Sequence, residues 1–253
     1  MMRGFVAVGA SMGTRERRQR QLEEREQLII DVAWEAVREQ GLLKLQMSRI
    51  AERCEYAVGT LYQHFASKED LLLAVTTCIA REHAAMLQRV ADWSATPRER
   101  MFAIAVADMI FVLRNPDYFR LAQYTQCEVV WEAASLARRQ ALLACIEPIG
   151  EVVCGIVDDA VAAGDLALRG LSAYQLGIGC WALADGTHNL VHTRGILLEP
   201  DTRASYRLMC RHMQTLLNGF GWQPLAKLDD EAALDALIER IRRDVFGDLC
   251  PAL

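Results

Sequence analysis

Proline is scarce in this chain of 253 residues, with six in all at Pro97, Pro116, Pro148, Pro200, Pro224 and Pro251. Five fall near the edge of an apolar-periodic segment, where a proline does not break a helix, and Pro148 falls within one. Strict apolar–polar alternation, the mark of half-buried strands, is missing, while 3.6-residue periodicity recurs. The chain therefore reads as all-α. Its eight cysteines include no Cys-x-x-Cys pair. Most sit in apolar helical patterns (Cys78, Cys145, Cys154, Cys180, Cys210), where a thiol packs as a small hydrophobe. That usage implies free thiols in a reducing compartment. Residues 1–14 are too short and weakly flanked for a signal peptide, and no stretch reaches the length of a membrane helix. These absences predict a cytoplasmic protein with no membrane partner. Because the basic segment begins straight after Met12, Met12 is a candidate start. Positive charge is also lacking: the net charge is −5. A chain that binds nucleic acid over its whole surface is thereby excluded, and any DNA contact must come from a local basic patch. There is no nucleophile elbow, P-loop, His-Glu-x-x-His or dinucleotide fingerprint, which points away from an enzyme and implies no cofactor.

What is present is a series of amphipathic helices. The first is predicted over about Arg17 to Gln40, with Leu28, Ile29, Val32, Ala33, Ala36 and Val37 as its buried stripe and Gly41 as its stop. Two short helices follow, then a long one opened by a Ser67-x-x-Asp70 capping box. Further helices fit Arg98 to Arg114 and Pro116 to Gln126. A long one fits Glu128 to Ala163, with Pro148 as a possible kink. Three more fit Ser172 to Thr193, Thr202 to Phe220 and Asp230 to Phe246. The seam Tyr206, Met209, Cys210, Met213, Leu216, Leu217, Phe220 is the strongest of the set. The domain reading is an extension over 1–14 without fixed structure, a helix-turn-helix domain over 15–75, and a helical domain over 76–253.

Residues Met47 to Leu72, MSRIAERCEYAVGTLYQHFASKEDLL, carry the functional signal. Met47 to Cys54 buries Met47, Ile50, Ala51 and Cys54. Ser48 and Arg49 lie at its N-terminal end, where the helix dipole and unpaired amides favour a phosphate. After a tight turn, about Val58 to Phe65 turns Leu61 and Phe65 inward and exposes Gly59, Thr60, Tyr62 and Gln63. Such a pair presents its second helix to the DNA major groove. Thr60 can meet a base edge, while Tyr62, His64 and Lys68 can hold phosphates. Arg15 to Arg20 sets four arginines, Arg15 and Arg17 among them, against Glu16 alone. They form either an arm along the DNA or a solvated helix face.

The pattern Ile50, Ala51, Gly59, Thr60, Leu61, Tyr62, His64, Phe65, Ser67, Lys68, Glu69, Leu71 resembles the DNA-binding domain of TetR/AcrR-family transcriptional regulators. The likeness covers roughly residues 20–75. The resemblance implies a homodimer, a small-molecule site in the C-terminal domain, and release of a pseudo-palindromic operator in double-stranded DNA when that effector binds. The dimer is expected through Ser172–Thr193 and Thr202–Phe220. The turn departs from the family. Glu55 stands where a glycine commonly takes positive φ, a cost on the order of 1 kcal/mol. Ala57 replaces a serine N-cap, at typically ~1 kcal/mol, and Gln46 replaces a capping threonine.

Trp93, Asp108, Met109, Phe111, Tyr124, Trp131, Tyr174 and Trp181 are the candidate effector-pocket residues, set against ordinary core packing. Asp108 lies in an apolar run, and a buried carboxylate needs a partner. A protein donor is favoured over a ligand group. Asp185, His188 and His192 share a helix face and form a weak metal candidate. The leading function is a ligand-responsive repressor. The alternatives are a helical small-molecule-binding protein with degraded DNA binding, and a metal-dependent helical enzyme.

Overall fold

The computed structural model describes residues 13–193 and 201–249. The expected extension over 1–14 and the candidate start at Met12 lie outside the described residues, apart from Gly13, which caps the first helix, and Thr14, which opens it. Among the described residues the chain forms eleven α-helices and no strand. It divides into two compact units, one ending at Val75 and the other beginning at Thr76.

The first unit holds α1 (Thr14–Gln40), α2 (Met47–Arg53), α3 (Val58–His64) and the opening turns of α4 (Lys68–Ala91). Gly41 stops α1 at φ 84, a left-handed conformation that costs glycine nothing, and its N–H closes on the Val37 carbonyl. Ile29 and Ala33 of α1 are fully buried with Leu61, Phe65, Leu71 and Leu72. Leu28, expected in that stripe, is 42% exposed, and Ile30 takes its place in the core. Arg53 of α2 reaches back to Glu39 at 2.8 Å and Glu35 at 3.1 Å on α1. Exposed pairs like these stabilise little individually, but they fix which face of α2 meets α1. The capping box is present in altered form: Ser67 Oγ accepts the Asp70 N–H, and the buried Asp70 carboxylate accepts from Ala66 rather than Ser67.

The second unit is built around α5 (Pro97–Arg114), which is buried on almost every side and contacts α6 (Pro116–Gln126), α8 (Leu136–Ala162), α10 (Thr202–Gly219) and α11 (Glu231–Phe246). A helix apolar all round belongs at the centre of a bundle. Thr96 and Glu99 form the capping box that starts it. Arg98, 4% exposed, is the exception inside this core. Its guanidinium donates to Trp222 O at 2.5 Å, Gln214 Oε1 at 2.7 Å and Asn218 Oδ1 at 2.8 Å. Burial without a counter-charge lowers its pKa to about 10.

The single helix expected over Glu128 to Ala163 is two: α7 (Glu128–Ala133) and α8. Ser135 Oγ accepts the Arg138 N–H and so restarts the chain as a new helix. By length and composition α8 could cross a membrane, contrary to expectation. Its buried residues are only Leu142, Ile156, Val157 and Ala160. Of the α10 seam, Tyr206, Met209, Cys210, Met213 and Leu217 are 0–2% exposed and face the core of their own unit. The described cysteines form no disulfide.

Several polar groups within this unit are paired between helices. His188 of α9 (Ala173–His192) lies 2.9 Å from the Tyr206 hydroxyl through Nδ1. Burial pushes the His188 pKa below its ordinary 6.5, with smaller opposed effects from Asp108 and His83. His192 is lowered by burial and then by Arg120. Both groups are harder to protonate folded than unfolded. Stability is therefore full above about pH 6.5 and declines as the pH falls through their depressed folded values. Thermal unfolding of the chain at stepped pH should show this acid loss, and His188→Gln should flatten it.

Candidate nucleic-acid interface and effector site

The turn between α2 and α3 sets the candidate interface. Tyr56 N–H donates to Ala51 O at 2.9 Å, and Glu55 N–H to Glu52 O at 3.1 Å. These are the two bonds of a Schellman stop, which needs a left-handed residue between the helices. That residue is Glu55, at φ 57. The left-handed conformation anticipated at this non-glycine position is present. Ala57 is the N-cap of α3 and Gln46 that of α2, and neither gives a side-chain hydrogen bond. Both helices thus begin without a side-chain cap, and the Arg49 and Thr60 N–H groups donate instead to the carbonyls of Gln46 and Ala57, at 3.1 and 2.9 Å.

Leu61 and Phe65 anchor α3 at 0% exposure. Gly59, Tyr62 and Gln63 are exposed and Thr60 is half-buried, so these four candidates lie on or beside its outward face. Tyr62 is 52% exposed. His64 departs from expectation. Its side chain is only 7% exposed and its Nδ1 lies 3.7 Å from Glu26 of α1. It follows Gln63 by one residue, a 100° step around the helix, and so turns inward to α1 instead of outward as a phosphate ligand. Ser48 and Arg49 are exposed at the start of α2, and Arg49 donates to Gln40 at 3.3 Å. Lys68 opens α4, half-buried. Arg15 and Arg17 lie in the first turns of α1, so this segment is a helix and not an extended arm.

In the second unit the structure gathers part of the expected effector set. Asp108 Oδ1 is 2.7 Å from His83 Nε2, with side chains 13% and 20% exposed. A protein group therefore partners the carboxylate, as the sequence reading favoured. Phe111 stacks on His83 at 4.4 Å between centroids, and Tyr118 meets its edge at 5.1 Å. Met109 is buried beside them in sequence, and Tyr124 and Trp131 are half-buried. Trp93 lies elsewhere, under the Arg240 guanidinium of α11 at 5.4 Å. Tyr174 and Trp181 are corrections, at 63% and 66% exposed. The buried face of α9 is Leu176, Gly177, Cys180, Ala184 and His188, which leaves 174, 178 and 181 on the opposite side. The metal candidate also dissolves into protein contacts. His188 and His192 flank Tyr206, and Asp185 accepts from Asn189 at 3.0 Å. Sequence reasoning missed His83 and Tyr206. Their one signal was a lone polar group within an apolar helical stripe, the same signal that exposed Asp108.

Two crossing helices with a tight stop, and an outward face of Gly59, Tyr62 and Gln63, define a helix-turn-helix DNA-binding regulator. Residues 29–75 match the family described as bacterial regulatory proteins, tetR family. Over those residues the chain is similar to the DNA-binding region of TetR-family transcriptional regulators. A fatty acid metabolism regulator protein of Bacillus subtilis is 27% identical over 181 residues, spanning 68% of this chain and 90% of that protein. The HTH-type transcriptional repressor KstR of Mycobacterium tuberculosis is 32% identical over 104 residues, 40% of this chain and 44% of the repressor. Among solved structures, a tetR-family regulatory protein from Rhodococcus RHA1 superposes with a TM-score of 0.59 at 18% identity, covering 79% of this chain and 98% of that one. RolR in complex with resorcinol gives 0.57 at 15% identity, covering 88% and 97%. At such identities the structural likeness speaks for the fold.

The strained turn gives a direct test. Glu55→Gly should raise the unfolding free energy by about 1 kcal/mol, and Ala57→Ser by about 1 kcal/mol through a restored cap. Chemical denaturation of each variant measures both gains. The Glu55 change should also tighten DNA binding by removing an anionic side chain next to α3.

Proposed function

We propose that the chain is a cytoplasmic repressor that binds a pseudo-palindromic operator as a homodimer and leaves it when a small-molecule effector occupies the C-terminal unit. The exposed face of α3 supports this most directly. Gly59 allows close approach, Thr60 and Gln63 carry groups able to meet base edges, and Tyr62 and Lys68 can hold the flanking phosphates. Two such helices would enter successive major grooves about 34–36 Å apart. Ser48 and Arg49 would add phosphate contacts. His64 positions α3 against α1 and is left out of the contact set.

We place the second copy on α8 and α9 rather than α9 and α10. The α10 seam is already consumed by its own core, whereas Tyr174, Ile178 and Trp181 of α9 and Leu136 and Leu143 of α8 are 40–66% exposed. Their spacing makes one apolar stripe on each helix, and an apolar surface of this extent is what a self-association face offers. A second copy applied to it would form a bundle of four helices. The effector site is assigned to the surroundings of Asp108, His83, Phe111 and Tyr118. An effector's polar group would compete for the Asp108–His83 bond while its apolar body meets the rings.

Two measurements test the scheme. In gel shifts with the chain's own upstream DNA, binding should fall steeply with salt and drop at least tenfold in Tyr62→Ala, at a cost of about 1.4 kcal/mol or more. Sequence-independent binding unchanged by that substitution would refute the operator reading. In sedimentation, Trp181→Glu should convert dimer to monomer while helicity is kept. A variant that stays dimeric would move the interface elsewhere.

A further inference from the structure

The first three turns of α1 have two faces of different character. One carries Glu16, Gln19, Arg20, Glu23, Glu24 and Gln27 and satisfies itself. Gln19 donates to Glu23 at 2.9 Å, Arg20 to Glu24 at 2.9 Å and Gln27 to Asp31 at 2.8 Å, while Glu16 accepts from Gly13 at 3.0 Å. The other face reads Arg15, Arg18, Leu22, Arg25, a 3-4-3 spacing that is one helical stripe. It contains no acid. All four side chains are exposed, and none of these three arginines makes an ion pair among the described residues.

This stripe is continuous with the core-facing one. The next positions along it are Ile29, Ala33 and Ala36, all buried in the first unit. Between the two parts, Glu26 approaches His64 at the C-terminal end of α3. The arginine stripe therefore runs on from the side of α1 that packs against the recognition helix, past the point where that helix ends. Its charges also oppose their own helix. Cations in the first turns meet the positive end of the dipole, and a free helical segment of about 12 residues is marginal in water. Anionic oxygens along the stripe would relieve both conditions.

We infer that Arg15, Arg18 and Arg25 form a helical phosphate-binding face that grips the DNA backbone flanking the groove occupied by α3. The face extends the protein's footprint without reading sequence. Arg20, held by Glu24 on the self-satisfied side, takes no part. This rests on the DNA-binding reading above, and it replaces an extended arm reaching the minor groove with a rigid helix lying along phosphates.

The test uses the full chain and duplexes that the unaltered chain selects from a random-sequence pool, prepared with long flanks and with flanks trimmed to the selected core. The triple variant R15Q/R18Q/R25Q should bind the long duplex roughly tenfold more weakly. Its log–log salt slope should be shallower by about 5, for three arginines on each of two protomers at roughly 0.9 per contact, and its sequence preference should be unchanged. The loss should vanish on the trimmed duplex, and R20Q should bind as the unaltered chain does. Glutamine relieves the dipole conflict, so unfolding of α1 does not explain a loss. Equal weakening by both variants, or no weakening by the triple variant on the long duplex, overturns the inference. Failure of the parent reading looks different: the unaltered chain then enriches no sequence, and Tyr62→Ala binds as well as it does.

Discussion

The first unit depends on one constraint: α2 and α3 must change direction within four residues without leaving buried backbone groups unpaired. The two bonds from Tyr56 and Glu55 back into α2 meet it, and they force Glu55 into the left-handed region. Glycine would adopt that conformation freely. With glutamate there, the strain is held by what surrounds it: Ile50, Ala51 and Cys54 on one side, Leu61 and Phe65 on the other, all buried. The direction of α3 follows from this clamp. Once Leu61 and Phe65 are fixed inward at a four-residue interval, the intervening Tyr62 and Gln63 face out.

The second unit solves a related problem with side chains. Its central helix is nearly all apolar, yet it carries Arg98 at one end and Asp108 near the middle. Each is met by groups from another helix: Arg98 by α10 and the segment after it, Asp108 by His83 of α4. Buried polar groups of this kind add little net stability. They do penalise every arrangement in which they are unpaired, so they select one register of α4, α5 and α10 from the many that apolar packing alone would tolerate. The Asp108–His83 pair differs from Arg98 in its residual exposure. It is a polar bond close to a surface, where a competing ligand group could replace one partner at small cost.

Helix positions were largely legible in the sequence because they rest on short-range chemistry. Gly41, Thr96, Ser172 and Asp230 mark ends where periodicity and capping agree. The helix-turn-helix, including its anomalous turn, was legible for the same reason. Facing was less so. Leu28 and Ile30 differ by two positions, and only the neighbours of α1 decide which is buried. Tyr174 and Trp181 look like pocket residues by composition, yet Gly177 and Cys180 take the inward positions. At Gly177 even an added Cβ would meet Val153 of α8 at 2.8 Å, so the close crossing of α8 and α9 rotates the large rings outward. Periodicity names a stripe but not the element that covers it. The seam of α10 was strong in sequence for the same reason that it is unavailable to a partner: it is core.

Net acidity and DNA binding are reconciled by how the charges are distributed. A formal charge of −5 repels phosphate at long range, so attraction has to be concentrated where the duplex would lie. In the first turns of α1 the acids Glu16, Glu23 and Glu24 are gathered on one face and held there by Arg20 and by amide donors. The arginines on the other face are left without competitors. Pairing Arg15, Arg18 or Arg25 to those same acids would have given a helix of identical composition and higher intrinsic stability. The segregated pattern forgoes those pairs and places the unpaired cations on the stripe that continues toward α3. Composition alone registers a weakly acidic protein, whereas the spacing of three arginines at 15, 18 and 25 creates a local cationic edge whose value depends on an anion being brought to it.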